Sequence, residues 1–411
     1  MVLGGFSSRC VPDKRIGGIS MFFKKKAMRL ASAVLGIAML GSVFAGCGDE
    51  AASSDDIKVG ANFELTGNQA NYGTACMEGL KLAVKEANEA GGINGKKITI
   101  IEADTKSEAA ESVNAATKLI SDDKVVAIVG PAVTANVIAE SDVATQNKVP
   151  IVAPAATNPN VTVKDGELKP FVFRSCFIDP QQGTVMAQFA ARDLKAKTAV
   201  MYIDSSSDYS KSLGKVFKET FEANGGKVVM EEAFLAKDQD FKAALTKIKT
   251  ANADVIFVPC YYEEAGKIVK QAREMGISCP LLGTDGWDDP KVADIAGADA
   301  LNNTFFSTHY FDQDAEAQSF IETFKKEYGH APNVFAALGY DCGKLLIDAL
   351  KRASSLDGDA IRQAIEATKD LQVATAKITM DPSNHNPIKE AVIIENKDGK
   401  YELKAKIAPE K

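Results

Sequence analysis

The sequence predicts an α/β protein of two doubly wound, parallel-sheet (Rossmann-like) domains joined by a hinge of crossing segments. Three observations predict it. Short apolar runs alternate with amphipathic stretches of helical period, the signature of βαβ units. The runs are apolar throughout and do not alternate, as strands buried on both faces require. The portion expected to fold, 365 of 411 residues once an N-terminal leader is set aside, exceeds what one core usually organises.

IKVGANF (57–63) reads as the first buried strand. Cys76, Leu80, Ala83, Val84 and Ala87 then fall on one helical face, and Gly91-Gly92-Ile93-Asn94-Gly95 supplies C-cap and turn residues. ITIIEAD (98–104) is the second strand. Thr105 with Glu108 reads as a capping box for a helix striped by Ala109, Val113, Ala116 and Ile120. VVAIVG (125–130), a helix over 134–146 and a short strand over 150–153 complete the first unit. The pattern restarts with helices over 181–195, 210–224, 240–250 and 263–275 and strands over 198–204, 227–234, 254–260 and 280–285. A return strand over 303–311, helices over 315–328 and 334–353, strands over 376–381 and 389–395, and a hairpin at Asp398-Gly399 close the chain. The first domain is therefore expected over 57–176 and 309–392, and the second over 177–308 and 393–411.

The N-terminus carries different information. Lys24, Lys25, Lys26 and Arg29 form a positive n-region before an apolar core of about sixteen residues, where about 20 are needed to span a bilayer. Residues 1–20, with Pro12, Gly17 and Gly18, do not fit that plan, so translation is expected to start at Met21. The core ends in Phe44-Ala45-Gly46-Cys47, which resembles the lipobox of bacterial lipoproteins. The resemblance implies cleavage after Gly46 (residues 1–46 as signal peptide) and a lipid on Cys47. Residues 47–56 would be the tether of an extracytoplasmic, membrane-anchored protein.

Composition excludes several function classes. Removing 1–46 leaves 41 basic and 54 acidic residues, a balance of −13, with no electrostatic footprint for nucleic acid. The five cysteines beyond Cys47 are irregularly spaced, and only His309, His330 and His385 occur, so no metal or cofactor is expected. Neither phosphate-loop fingerprint nor a G-x-S-x-G elbow is present. Ser212-Leu213-Gly214-Lys215 fits S-x-x-K inside a helix, and Cys260 is the one candidate nucleophile, with no histidine near it in sequence.

Polar and aromatic residues instead collect after strand C-termini, where open α/β sheets bind ligands. Thr134 follows Gly130-Pro131-Ala132-Val133, a loop whose N–H groups and hydroxyl suit a carboxylate. Ala155 and Thr157 lie in the next loop. In the second unit Tyr209, Tyr261 and Asp285 would place one carboxylate among aromatic rings, which suits an ammonium.

Together these residues resemble the type I periplasmic binding proteins of ABC importers, in particular the leucine/isoleucine/valine-binding branch. The marks are IKVGANFELTGNQANYG (57–73), EANEAGGINGKKI (86–98), VGPAVT (129–134), PAATNP (154–159), QAREMG (271–276) and GTDG (283–286). The resemblance implies a ligand in the interdomain cleft. It assigns Thr134, Ala155 and Thr157 to the α-carboxylate and Tyr209 and Asp285 to the α-ammonium. Tyr261 would close over the ligand, and Tyr72 and Phe335 would wall its aliphatic side chain. Some relatives carry Ser at Thr134 and Glu at Asp285, and Cys260 and Trp287 are expected to alter the pocket lining. The implied partners are leucine, isoleucine or valine, a membrane permease and its ATPase; the protein is expected to act as a monomer and not as an enzyme. The alternatives are a binder of an amide, urea or other carboxylate, a lipid-anchored amidase using Cys260, and a sensory ectodomain.

Overall fold

The computed structural model describes residues 56–407, so the leader, Cys47 and nearly all of the tether lie outside the described residues. In the first lobe, strand β1 (Ile57–Phe63) lies between β2 (Ile98–Asp104) and β3 (Ala127–Val129), all parallel. Strands β4 (Ile151–Ala153) and β5 (Val172–Arg174) extend the sheet in the order β2-β1-β3-β4-β5. Helix α1 (Ala70–Glu89) covers one face, and α2 (Ala109–Ser121) and α3 (Thr134–Gln146) cover the other.

Helix α4 (Asp179–Arg192) opens the second lobe, packing Val185, Met186 and Phe189 into its core. The lobe continues with β6 (Thr198–Asp204), α5 (Asp208–Ala223), β7 (Lys227–Phe234), α6 (Lys242–Thr250), β8 (Val255–Phe257), α7 (Tyr262–Glu274), β9 (Leu281–Gly283), α8 (Pro290–Ala296) and β10 (Thr304–Thr308). The chain then returns to the first lobe through α9 (Gln318–Tyr328), α10 (Val334–Arg352) and α11 (Gly358–Glu366). It ends in the second sheet with β11 (Ala391–Lys397) and β12 (Lys400–Ile407), giving the order β12-β11-β10-β9-β8-β6-β7. Side chains alternate between two cores: Ala199 and Met201 meet Leu213 and Phe217, while Val200 and Tyr202 meet the Leu245 and Ile268 side.

Helix α10 is sequence-distant from the first sheet, yet it packs along α1. Two glycines allow it. A Cβ on Gly79 would stand 1.9 Å from the Ala336 carbonyl oxygen, and one on Gly339 would stand 2.1 Å from that of Cys76. The backbones touch where the side chains are missing.

Several expectations are corrected. Strands β5 and helices α8 and α11 were not read from sequence, although Asp289 and Asp357 cap the two helices through Lys291 N–H and Ala360 N–H. The capping box at Thr105 and Glu108 does not form. Glu108 makes no side-chain cap bond, and its carboxylate pairs with Lys237 of the second lobe at 2.8 Å. Ala391 and Val392, expected in the first domain, lie in β11 of the second sheet, paired with β10 and β12. The hairpin at Asp398-Gly399 is present, with φ of 51° and 71° at its two central residues, as a tight primed turn requires. Between the lobes, buried Lys389 ties the last crossing to the first, donating to the Ser175 carbonyl at 3.0 Å and pairing with Asp341 at 3.4 Å. No helix among the described residues is long and apolar enough to cross a membrane.

Candidate functional site

The C-terminal ends of β3 and β4 form the first wall. The loop over 130–134 opens with Gly130 at φ 106°, where a Cβ would meet the Asn62 carbonyl oxygen at 2.2 Å. The sequence suggested that N–H groups here stand free for a ligand carboxylate. Two of them do not. Glu64, fully buried after β1, accepts from Ala132 N–H at 3.0 Å, Val133 N–H at 3.2 Å and the Asn136 amide at 2.8 Å. Burial raises its pKa, and those bonds oppose the rise. What the loop leaves for a ligand is Thr134, the first residue of α3, whose side chain forms no protein hydrogen bond and lines a hollow beside Ala155.

Across from this wall stand the ends of β8 and β9. The Tyr209 hydroxyl donates to Asp285 Oδ1 at 2.6 Å, lies 2.6 Å from Thr284 Oγ1, and accepts from Gly286 N–H at 3.2 Å. His309 Nε2 reaches Asp285 Oδ2 at 3.1 Å. Tyr261 stacks on Tyr209 with ring centroids 5.1 Å apart and planes within 7°. The Tyr209 hydroxyl is held protonated, chiefly by burial and then by Asp285 beside it.

Aromatic rings close the remaining sides. Tyr72 packs on Phe335 at 4.1 Å, but it is more than the apolar wall expected of it. Its hydroxyl donates to the Gly286 carbonyl at 2.5 Å and accepts from Tyr262 N–H at 2.8 Å, both in the second lobe. Asn71 reaches Asp289 and Asn158 reaches the Asp208 carbonyl, so the lobes are engaged directly.

The result is a small, tightly drawn hollow lined by Tyr72, Thr134, Ala155, Tyr209, Tyr261, Asp285 and Phe335, with Ala132, Val133 and Gly286. Thr157 is the exception among the residues singled out from sequence. It is buried beside the hollow and its carbonyl accepts from Asp179 N–H at 2.9 Å. Its hydroxyl faces the Asp179 carboxylate but falls short of hydrogen-bond geometry. Burial pushes Asp179 up to about 7, with Thr157 and Arg174 opposing the rise and Asp285 adding to it.

Cys260 and Trp287, expected in the lining, are not there. Cys260 is buried and burial raises its thiol pKa well above the usual value. Trp287 donates its indole N–H to the Val258 carbonyl at 3.0 Å and packs over Gly283. Ser212 and Lys215 sit mid-helix in α5. A larger hollow meets the crossing segments at His309, Thr375 and Lys389, and none of the eight residues reaches it. No group of His, Cys, Asp and Glu among the described residues is arranged to hold a metal ion.

Sequence reasoning missed Glu64, Asp179 and His309. Glu64 was legible in principle as a polar residue directly after a strand end. Asp179 opens α4 and His309 lies on a crossing segment, and periodicity is silent about what either meets.

The chain is similar over 333 residues to the Leu/Ile/Val-binding protein homolog 3 of Brucella melitensis, with 30% identity across 81% of this chain and 89% of the relative. Among solved structures, the branched-chain amino acid transporter substrate-binding protein LivJ of Streptococcus pneumoniae, in complex with isoleucine, superposes with a TM-score of 0.81. It is 38% identical and covers 86% of this chain and 100% of that one. The leucine-binding protein LivK of Thermotoga maritima gives a TM-score of 0.80 at 37% identity over 86% of this chain and 99% of that one. A solute-binding protein of Rhodopseudomonas palustris BisB5 with 3,4-dihydroxybenzoic acid gives 0.76 at 28% identity, over 86% and 97%. Residues 56–400 match the periplasmic binding protein family profile. With two crossed α/β lobes and a hollow at their strand ends, this chain belongs to the periplasmic binding protein family.

Proposed function

We propose that the protein captures leucine, isoleucine or valine between its lobes and delivers it to the permease of an ABC importer. The observation that carries this reading is one hollow that joins Thr134 of the first lobe to Tyr209, Tyr261 and Asp285 of the second. A zwitterion has one charge for each side. Its carboxylate meets the Thr134 hydroxyl at the N-terminus of α3, where the helix dipole favours an anion. Its ammonium meets Asp285 and the stacked Tyr209 and Tyr261 rings. Tyr72 and Phe335 leave an apolar flank for an aliphatic side chain.

Only the closed arrangement brings both sets to one ligand, so the ligand favours closure by its differential affinity. Release then requires the lobes to part, which is the permease's task, and ATP hydrolysis in its partner subunits drives the cycle. A lipid on Cys47 would hold a monomeric binder near that permease and raise its effective concentration. The protein binds and does not turn over its ligand.

An amine-free carboxylate is the second reading, favoured by two similar solute-binding proteins that hold aromatic acids. Such a ligand leaves the buried Asp285 without a cation, a costly arrangement. Titration calorimetry with the three branched-chain amino acids and with 4-methylpentanoate separates the two. Tight binding of leucine with scattering that shows compaction is expected. Absence of binding by any branched-chain amino acid, or equal closure by 4-methylpentanoate, refutes the proposal.

A further inference from the structure

Asp285 has a partner that no part of the ligand reading uses. His309 follows β10 directly, at the second crossing, and its side chain is fully buried. Its Nε2 lies 3.1 Å from Asp285 Oδ2, and its Nδ1 has no hydrogen-bond partner. The ring stacks on Phe177, from the first crossing, with centroids 3.7 Å apart and planes within 17°.

These contacts determine the proton's place. Asp285 receives the Tyr209 hydroxyl on Oδ1, and an ionised carboxylate only accepts. A lone pair on Nε2 would repel Oδ2, so Nε2 carries the hydrogen and Nδ1 is bare. Burial lowers the His309 pKa below its ordinary value, which keeps the ring neutral. The carboxylate thus has one donor on each oxygen, and about two lone-pair positions remain for a third donor.

We infer that His309 is a positioning residue for the ligand's amine: its Nε2–H, held by the stack on Phe177, fixes the Asp285 carboxylate to receive an ammonium in the hollow. The inference rests on the amine-site reading of Asp285. An aspartate is one methylene shorter than the glutamate of some relatives, so it cannot swing to find its ligand and gains from being held. Both rings of the support ride on crossing segments and neither belongs to the hollow's lining, so the hinge itself sets the geometry of the charge.

Titration calorimetry with leucine and with 4-methylpentanoate tests it on the intact mature protein. His309→Phe keeps the ring and the stack but loses the N–H; His309→Gln keeps a donor. The expected result is leucine binding weakened about tenfold by His309→Phe, with 4-methylpentanoate unchanged, and most of the loss recovered by His309→Gln, as removal of one charge-assisted bond predicts. In an Asp285→Asn background the His309→Phe effect should vanish. Unaltered leucine affinity in His309→Phe, or equal weakening of both ligands, overturns the inference. If Asp285→Asn itself leaves leucine affinity unchanged, the amine-site reading fails first and this inference with it, a distinct outcome. Should His309→Phe not fold, nitrogen-15 NMR of the wild-type imidazole decides: a protonated Nε2 protected from exchange with leucine bound is expected, and a protonated Nδ1 overturns it.

Discussion

The Tyr72 hydroxyl of the first lobe donates to the Gly286 carbonyl of the second, one residue past Asp285. It accepts from Tyr262 N–H as well, so one side chain closes two bonds between the lobes. Neither survives if the lobes separate. Tyr72→Phe therefore penalises the closed state while leaving the apolar wall in place. At about 1 kcal/mol per bond, leucine affinity should fall about tenfold to thirtyfold. Calorimetry reads the affinity and small-angle scattering reads the closure; unchanged values in both would show that the contacts do not latch the lobes.

Asp285→Asn removes the only charge in the lining. A buried ammonium left without its counter-ion costs about 3–5 kcal/mol. Leucine binding should weaken at least about a hundredfold, with the far-ultraviolet spectrum and unligated melting temperature retained. Titration calorimetry checks it.

The pH dependence of stability follows from Asp179 and Asp288, both pushed by burial to about 7 from 3.8. An acid with a folded pKa above its unfolded one takes up a proton on folding between those two values. Its contribution is complete below about 4 and is lost as pH rises to about 7. Stability without ligand should therefore fall between about pH 4 and pH 7, by up to about 4 kcal/mol for each acid, and level off above that. Asp179→Asn should roughly halve the fall. Urea melts across that range test the sign; a rise with pH in the wild type would contradict it.

Gly339→Ala places a methyl group where 2.1 Å separates it from the Cys76 carbonyl oxygen. Neither backbone yields without moving a helix, so overpacking should cost about 3 kcal/mol or more. The variant should unfold at clearly lower urea, and Gly343→Ala, facing the Ala83 and Leu80 side chains, should do less harm.

Cys47→Ser should leave a precursor that is neither lipidated nor cleaved after Gly46. Metabolic labelling with palmitate and the mass of the product check this; normal cleavage, or label on another cysteine, would rule out the anchor.

Much of this molecule was legible before its structure. The strand–helix alternation follows from local patterning, and the residues after strand ends follow from the same periodicity, since C-terminal ends of parallel strands share one edge. What escaped were relationships between segments. Glu64 and Val133 are 69 residues apart, and nothing local says that a glutamate will fill donors left open by the 130–134 loop. Asp285 and His309 meet only because β10 returns beside β9. Trp287 looked like a pocket residue from its position after a strand, but Gly283 offers it a flat bed on the other side.

The glycine contact between α1 and α10 also orders events in time. Nearby on the same helix pair, Tyr340 bonds Glu86 across 254 residues of chain. The first lobe to be synthesised thus stays incomplete until late, because its covering helix emerges after most of the second lobe and ahead only of β11 and β12 among that lobe's strands. A nascent chain paused before α10 exposes the apolar face of α1, with Cys76, Leu80 and Ala83 unmatched. Such a chain cannot settle early into its final form. The delay leaves α1 waiting for a partner made more than 240 residues later, and the pair of glycines fixes where the two backbones finally meet.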